Sequence, residues 1–484
     1  MWRSAGNDAK PLLDTSNPPL HIGEAMTSLN PKRALCALAA TCFLAASLPA
    51  AEMPRWRAGA ASIQITPDEP LWMAGYGNRD KPSQGTTQQL HAKALALRDA
   101  AGGRVVLVTT DILGFPRDLA QRVTARAEQQ YGLARERVLL NSSHTHAGPV
   151  VGRTLAAAYP KMSPQQWADV DTYTQVLEDK IVRVIGQALA VLEPAEVSFG
   201  RTRAGFAVNR RLRTPGGYRG GNVNWEGPVD NEVPILRVRD AAGKLKAVVF
   251  GYACHNTSIR GTDYEFHGGW AGTAQHILEE EHPGAVALFM MGCGADANPY
   301  PRGGVKLANH HGKALAGMVS RAVGRKLRNL DGPLKPVYEE FPVAFAQPPP
   351  KEEFERRLTE DNEYRKFHAR QMLEIIEQKG SLPRRYPYPA QVWQFGDDLT
   401  LVALAGEVVV DYALRLKKEL GGDKLWVAGY SNDVFAYIPS LRVLNEGGYE
   451  AESAMIYYGQ PGRFSPSVEE TIIRKVHELV VRVK

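Results

Sequence analysis

Two histidines one residue apart, His144 and His146, stand in the run Asn141-Ser-Ser-His-Thr-His-Ala-Gly-Pro149. Imidazole is the commonest metal ligand and the side chain whose proton moves near neutral pH. One ring of such a pair can hold a metal while the other handles a proton. The apolar stretch from Arg137 to Leu140 reads as a buried strand, closed by Gly148-Pro149. Residues two apart on an extended backbone share a face. The spacing therefore predicts two rings projecting together from the C-terminal end of a strand, where α/β folds tend to build sites. Two surface histidines on a loop would give the same pattern, so partners decide.

Four further segments supply partners. Cys254-His255-Asn-Thr follows an apolar run at 246–253, and Gly292-Cys-Gly-Ala-Asp296-Ala-Asn298-Pro299 follows one at 285–291. Ala405-Gly-Glu407 follows 399–404 and is expected to place its carboxylate at the N-terminus of an apolar helix. Ser431-Asn432-Asp433 and Tyr437-Ile-Pro439 follow 424–430. Five polar-tipped strand ends are thus expected along the edge of one sheet. They are the raw material for a site built from distant parts of the chain.

The elements that must position these residues alternate. Strand-like runs at 61–65, 91–97, 104–109, 195–202 and 233–239 are interleaved with helical patterns at 116–131, 165–191, 269–281 and 305–328. The fold class expected is α/β, a layered domain with a mixed sheet and the site at strand ends. Gln347-Pro-Pro-Pro350 opens a highly charged helical stretch, about 347–387, that reads as an insertion or a boundary. Candidate ligands lie on both sides of it, which favours one catalytic unit over 52–484.

Hydrophobic residues make up 44% and charged residues 23%, and the formal charge is 58 − 52 = +6. That excess is small and nowhere concentrated, so no nucleic-acid partner is expected. Residues 1–51 read as an N-terminal extension and signal peptide. Lys32-Arg33, the apolar run Ala34 to Leu48 and the small residues Pro49-Ala-Ala51 follow the secretory order, with Met26 an alternative start. Export to the periplasm or beyond is the expectation. Cys254 and Cys293 would then be the mature chain's cysteines, as a disulfide or as buried thiols.

The chain resembles the neutral/alkaline non-lysosomal ceramidase family. The matching pieces are Ile65-Thr-Pro67, His144-Thr-His-Ala-Gly-Pro149, Val208-Asn-Arg-Arg211, Cys254-His-Asn-Thr, Gly294-Ala-Asp-Ala-Asn-Pro299, Ala405-Gly-Glu407, and Asn432 with Tyr437-Ile-Pro439. They keep the family's order from about residue 57 to 460. The resemblance implies Zn2+ held by His144, His255, Glu407 and Tyr437. It also implies proton transfer by His146 and contact of Arg210 with the reacting carbonyl. Attack by zinc-bound water on an amide of an N-acylated lipid or amino sugar would follow.

Two departures bear on that implication. Asn298 stands where ceramide-cleaving members have a serine, which excludes a serine nucleophile there and leaves Asn298 as a hydrogen-bond donor. The family's C-terminal immunoglobulin-like domain is also not expected here. A small-molecule or lipid substrate is implied, and peripheral contact with membrane lipid goes with the lipid reading. An esterase or lactonase with the same zinc site is the alternative, and a non-catalytic binding protein is a further one.

Around this set, His146 could serve as a second ligand, which would give a binuclear site. Asp111 could orient a ligand histidine or cap a helix, and Asp296 has similar standing. Tyr449, Tyr457 and Tyr458 are candidates for the substrate entrance. Arg211 reads as a surface or salt-bridge residue, and His267, His310 and His311 as solvated or structural.

Overall fold

Alternation along the strands decides which way each residue faces. In the computed structural model, which describes residues 55–219 and 221–484, β1 (Trp56–Gln64), β2 (His91–Asp99), β3 (Arg104–Thr110) and β4 (Val138–Ser142) form one half of a large sheet. The other half is β5 (Glu193–Arg203), β6 (Glu232–Asp240), β7 (Leu245–Tyr252) and β8 (Val286–Met291), in the order β8-β7-β6-β5-β1-β2-β3-β4. Most neighbours are antiparallel, but β3–β4 and β7–β8 are parallel. A second sheet, β9 (Leu334–Ala344), β10 (Arg385–Phe395), β11 (Leu399–Leu404) and β12 (Leu425–Ala428), ends in the parallel pair β11–β12. The N-terminal segment read as an export signal lies outside the described residues. Among those described, no helix is long and apolar enough to cross a membrane.

The two sheets pack face to face. On β2, Ala92, Ala94 and Ala96 point to the helices α1 (Arg117–Tyr131) and α2 (Pro164–Ala190). Leu95 and Leu97 point the other way, to Trp393, Phe395, Leu401 and Trp426 of the second sheet. Helices α3 (Gly269–Glu281) and α4 (Val305–Val323) cover β6 to β8. The far face of the second sheet is covered by α7 (Val410–Leu420) and α9 (Val468–Val483). The result is four layers, helix-sheet-sheet-helix, each sheet buried on both faces. Each fully buried leucine in the inter-sheet layer contributes about 1.5–3 kcal/mol through removal from water.

Local signals explain several boundaries. Helix α2 begins where Ser163 accepts from Gln166 N and the Gln166 side chain returns to Ser163 N, with Pro164 in the first turn. Helix α4 stops at Val323, five residues before the expected Arg328, because Arg328–Asn329 pair with β5. The charged stretch forms α5 (Lys351–Arg357) and α6 (Glu363–Lys379), joined through Phe354, Ala369, Met372 and Leu382. Helix α6 packs on the turns at Ala156–Ala158 and Ser453–Ile456. A short helix, α8 (Leu441–Glu446), is capped by Ser440.

Candidate active site

The polar strand ends do not lie along one sheet, as expected from sequence, but along two. Residues 144, 255 and 298 follow β4, β7 and β8 of the large sheet, whereas 407 and 437 follow β11 and β12 of the small one. The ends still meet, because bridges between Asn141 and Ser431 and between Gly292 and Ala428 join the two sheets there. Asn141 joins the two sheets: its Nδ2 donates to Gly429 O at 2.8 Å and Ser431 Oγ at 3.1 Å, and its Oδ1 accepts from Met291 N at 2.8 Å. Asn432, at φ 65°, exchanges backbone and side-chain bonds with Leu140.

His144 sits beyond the strand in a left-handed conformation, φ 53°, and not on the extended backbone expected. The kink still brings the two rings together: His146 Nε2 is 3.1 Å from His144 Nε2. His144 Nε2 is also 3.2 Å from His255 Nε2 and 3.2 Å from Glu407 Oε2, and Glu407 Oε2 is 3.0 Å from His255 Nε2. Ligand atoms of the three histidines lie within 4.8 Å of one another. The Tyr437 hydroxyl is 3.3 Å from His255 Nε2, with the two rings parallel. His144, His255 and Glu407 are buried, and His146, 8% exposed, is the histidine nearest the outside.

Backbone carbonyls fix the two inner rings. Nδ1 of His144 faces Leu113 O at 2.6 Å, and Nδ1 of His255 faces Gly294 O at 3.0 Å. A carbonyl only accepts, so both Nδ1 atoms carry the proton and both Nε2 atoms present lone pairs to the cluster. Two lone pairs and a carboxylate oxygen thus face one another with no proton between them. Spacings of 3.0–3.2 Å match those of ligand atoms each about 2.0–2.1 Å from a shared zinc ion. The donor set fits a divalent cation.

Asp111 does not orient a ligand histidine: its carboxylate accepts from His91 N and Gln275 Nε2. Asp296 accepts from Val410 N at 2.9 Å and Asn209 Nδ2 at 3.2 Å, bracing the loops that carry Glu407 and Arg210. Glu407 lies in a two-residue strand with Val408, paired with Tyr437–Ile438, three residues before α7 starts. The helix N-terminus therefore does not hold it, and the pairing with Tyr437 does. Cys254 and Cys293 are buried free thiols.

Arg210 is brought in where Ala207–Asn209 pairs with Ala297–Pro299. Its Nη2 donates to the Tyr437 hydroxyl at 3.0 Å and its Nη1 to Asn298 Oδ1 at 3.4 Å. Asn298 Oδ1 also accepts from Thr257 Oγ1 at 3.1 Å. Behind Arg210, Glu450 accepts from its Nε at 2.8 Å and from Arg211 Nη1 at 2.5 Å. Arg211 is 1% exposed, a buried ion-pair residue and not a surface one. His267 and His311 are buried too.

Burial pushes His255 down to about 4, with Arg210 adding to the effect. Burial likewise holds His146 well below the ordinary histidine value, helped by His144 and His255. For Glu407 burial acts upward, but the flanking His144 and His255 outweigh it and keep the carboxyl well below the usual range.

Two contacts lacked any local sequence signal. The Tyr458 hydroxyl donates to Glu407 Oε1, so of the three entrance tyrosines this one bonds the candidate ligand carboxylate. Tyr449 packs on Tyr437, and Tyr457 on Tyr364. Tyr76 leans on His146, with ring centroids 4.9 Å apart.

Layered sheets with a strand-end cluster of three imidazoles and a carboxylate define an α/β protein with a candidate metal centre. The model of the neutral/alkaline non-lysosomal ceramidase N-terminal family matches residues 56–336, and the chain belongs to that family. Neutral ceramidase of Pseudomonas aeruginosa is 28% identical over 267 residues, 53% of this chain and 39% of that protein. Neutral ceramidase A of Dictyostelium discoideum is 25% identical over 255 residues, 48% of this chain and 34% of that one. The matches thus span well under half the length of these relatives. The solved structure of a ceramidase complexed with C2 superposes with a TM-score of 0.70 at 18% identity, covering 90% of this chain and 76% of that one. Crystalline neutral ceramidase from Pseudomonas aeruginosa gives 0.68 at 21% identity, covering 89% and 74%. These two likenesses establish the shared fold.

Proposed function

We propose that the chain is an exported zinc-dependent hydrolase that cleaves an amide bond of an N-acylated lipid or amino sugar. The observation that carries this is the convergence of His144 Nε2, His255 Nε2 and Glu407 Oε2, all proton-free, within 3.0–3.2 Å of one another. His144, His255 and Glu407 would hold the ion, with Tyr437 as the weaker fourth ligand. When bound, zinc supplies Lewis acidity and a lowered pKa for water.

The chain's own residues account for the rest. Arg210, beside the Tyr437 hydroxyl, offers a fixed cation to the oxygen of the amide carbonyl as negative charge develops there. His146 adjoins the ligands from the more exposed side, where its ring takes a proton from the nucleophile and returns it to the leaving nitrogen. Asn298 positions Arg210 through its Oδ1 and carries no nucleophile. Residues 1–51 act as leader and 52–484 as the catalytic domain on this reading.

Metal analysis of the purified protein, followed by assays of short N-acyl amides beside p-nitrophenyl esters, tests the proposal. One tightly held zinc and amide cleavage lost in His255→Ala are expected. Activity on esters alone would refute the amide assignment, and absence of a bound divalent ion would refute the metal site.

A further inference from the structure

The charged insertion touches the site's supports at two points. Helices α5 and α6 close on a small apolar core of their own, Phe354, Ala369, Met372 and Leu382, separate from the cores of the two sheets. Tyr364 and His368, four residues apart, share one face of α6. Both lie beyond residues 56–336, the part that the family model covers.

Tyr364 bears on the turn in front of His146. Its hydroxyl donates to Gly77 O at 2.7 Å. A Cβ added to Gly77 would stand 3.3 Å from the Tyr364 ring and 3.3 Å from Ala158 O. Tyr76, one residue back, packs on the His146 ring and donates to Ile259 O at 2.7 Å. A Cβ on Gly75 would clash with that same ring. The turn 75–77 is thus wedged between His146 and Tyr364.

His368 bears on a different turn. Its Nε2 faces Gln460 O at 2.8 Å; a carbonyl only accepts, so Nε2 carries the proton. Burial pushes this histidine down to about 4, which keeps the ring neutral and the bond unchanged near pH 7. Its Nδ1 is buried without a partner among the described residues, a cost that an apolar ring of similar size would avoid. Gln460 in turn donates through Nε2 to Phe435 O at 3.0 Å and Tyr458 O at 3.5 Å. Tyr458 bonds Glu407, and Phe435 lies two residues before Tyr437. Tyr458 and α6 also border one cleft.

We infer that Tyr364 and His368 are positioning residues with separate tasks: Tyr364, through Gly77, sets the His146 ring, and His368, through Gln460, sets Tyr458 and with it the Glu407 carboxylate. The inference rests on the amide-hydrolase reading. The tasks separate because the two lines of contact, Tyr364-Gly77-Tyr76-His146 and His368-Gln460-Tyr458-Glu407, have no residue in common. One line ends on the proton, the other on the ion.

The test uses the full chain, zinc-loaded, with the p-methoxyanilide and p-nitroanilide of hexanoic acid and a competing chelator of known affinity. A displaced His146 protonates the leaving nitrogen poorly, which penalises the poorer leaving group more. Tyr364→Phe is expected to lower kcat for the p-methoxyanilide about fivefold more than for the p-nitroanilide, with KM and zinc affinity unchanged. Gly77→Ala, which presses on Tyr364 from the other side, should repeat that signature. His368→Phe should weaken zinc binding about threefold or more, below the roughly 10–100-fold of a group that touches a ligand. His368→Gln, which keeps a donor near the Nε2 position, should restore it. In protein carrying 15N-histidine, Tyr364→Phe should shift the His146 ring signal, identified by its loss from His146→Ala. Equal losses on both anilides with an unmoved His146 signal overturn the role of Tyr364, and wild-type zinc affinity in His368→Phe overturns that of His368. Cleavage of neither anilide by the wild type refutes the hydrolase reading, and the ring signal and chelator competition then decide the two positioning roles by themselves.

Discussion

Glu450 holds Arg210 from behind: its Oε1 accepts from Arg210 Nε at 2.8 Å while Nη2 of the same guanidinium donates to the Tyr437 hydroxyl at 3.0 Å. Glu450 is 1% exposed and also takes Arg211. Arg210 and Arg211 together outweigh the upward push of burial and lower the Glu450 carboxyl. Removing one partner of a buried pair leaves an uncompensated charge and costs about 3–5 kcal/mol. Glu450→Gln keeps the shape and is expected to lower kcat roughly ten- to a hundredfold with a smaller change in KM. Stopped assays and a thermal melt would read this out. Wild-type kcat in a folded Glu450→Gln protein would detach Glu450 from the site.

Two histidine variants divide the metal role from the proton role. His255→Ala is expected to abolish metal retention on dialysis, and Glu407→Gln to weaken it. His146→Ala is expected to keep the metal and lose activity about 10²–10⁴-fold, the range for removal of a general acid–base. Loss of metal from His146→Ala would instead make His146 a ligand. Elemental analysis beside the assay decides.

Tyr458→Phe removes the donor to Glu407 Oε1 without emptying the space its ring fills. A buried carboxylate oxygen left unpaired costs about 1–3 kcal/mol. Groups that orient a ligand typically change metal affinity 10–100-fold. Competition with a chelator of known affinity should show a shift of roughly that size, and an unchanged affinity would reduce Tyr458 to a cleft wall.

Gly75 has φ +95°, and a Cβ placed on it would stand 2.4 Å from His146 Nδ1. Gly75→Ala must therefore displace the His146 ring or the turn carrying residue 75. Activity is expected to fall at least tenfold while metal content is retained. Full activity in the variant would show that the His146 ring is not held in the position seen.

Asp433 supplies a pH dependence of stability. Burial pushes its carboxyl up to about 7, against the lowering pull of the Tyr386 hydrogen bond and of Arg117. The folded pKa exceeds the unfolded value of about 3.9, so between about pH 4 and about pH 7 the folded state binds the proton more tightly. Stability from this group is therefore greatest below that window, falls as pH rises through it and levels off above. Asp296, pushed up to about 6 by burial first and by Asp411 second, adds a slope of the same sign. Asp433→Asn should flatten the denaturant-unfolding profile between pH 4 and 7 by an amount on the order of a few kcal/mol. An identical profile in wild type and variant would be the contrary result.

The sequence made the layers legible because alternation and apolar runs report burial directly: Ala92, Leu95 and Leu97 face as their spacing demands. The resemblance to the ceramidase family, carried by short motifs in a fixed order, grouped His144, His146, His255, Glu407 and Tyr437, whose side chains lie together. Three features were not readable. The left-handed turn at His144 accompanies a ring contact with the carbonyl of Leu113, distant in sequence. The split of the strand ends over two sheets depends on which strands pair, and a strand's own pattern does not encode its neighbour. Glu450 and Tyr458 act through partners far along the chain, and a lone glutamate or tyrosine carries no periodic signal of such a contact.

Because Asn141 ties the sheets together while Glu407 and Tyr437 come from the later one, the order of synthesis has a consequence. A nascent chain that has emerged only as far as the large sheet presents three histidines but neither the carboxylate nor the phenol. On the proposed metal-site reading, tight ion capture requires the last quarter of the polypeptide to be present and docked. A product truncated before Glu407 would expose a trio of imidazoles with weak, unselective affinity for whatever transition metal its surroundings supply.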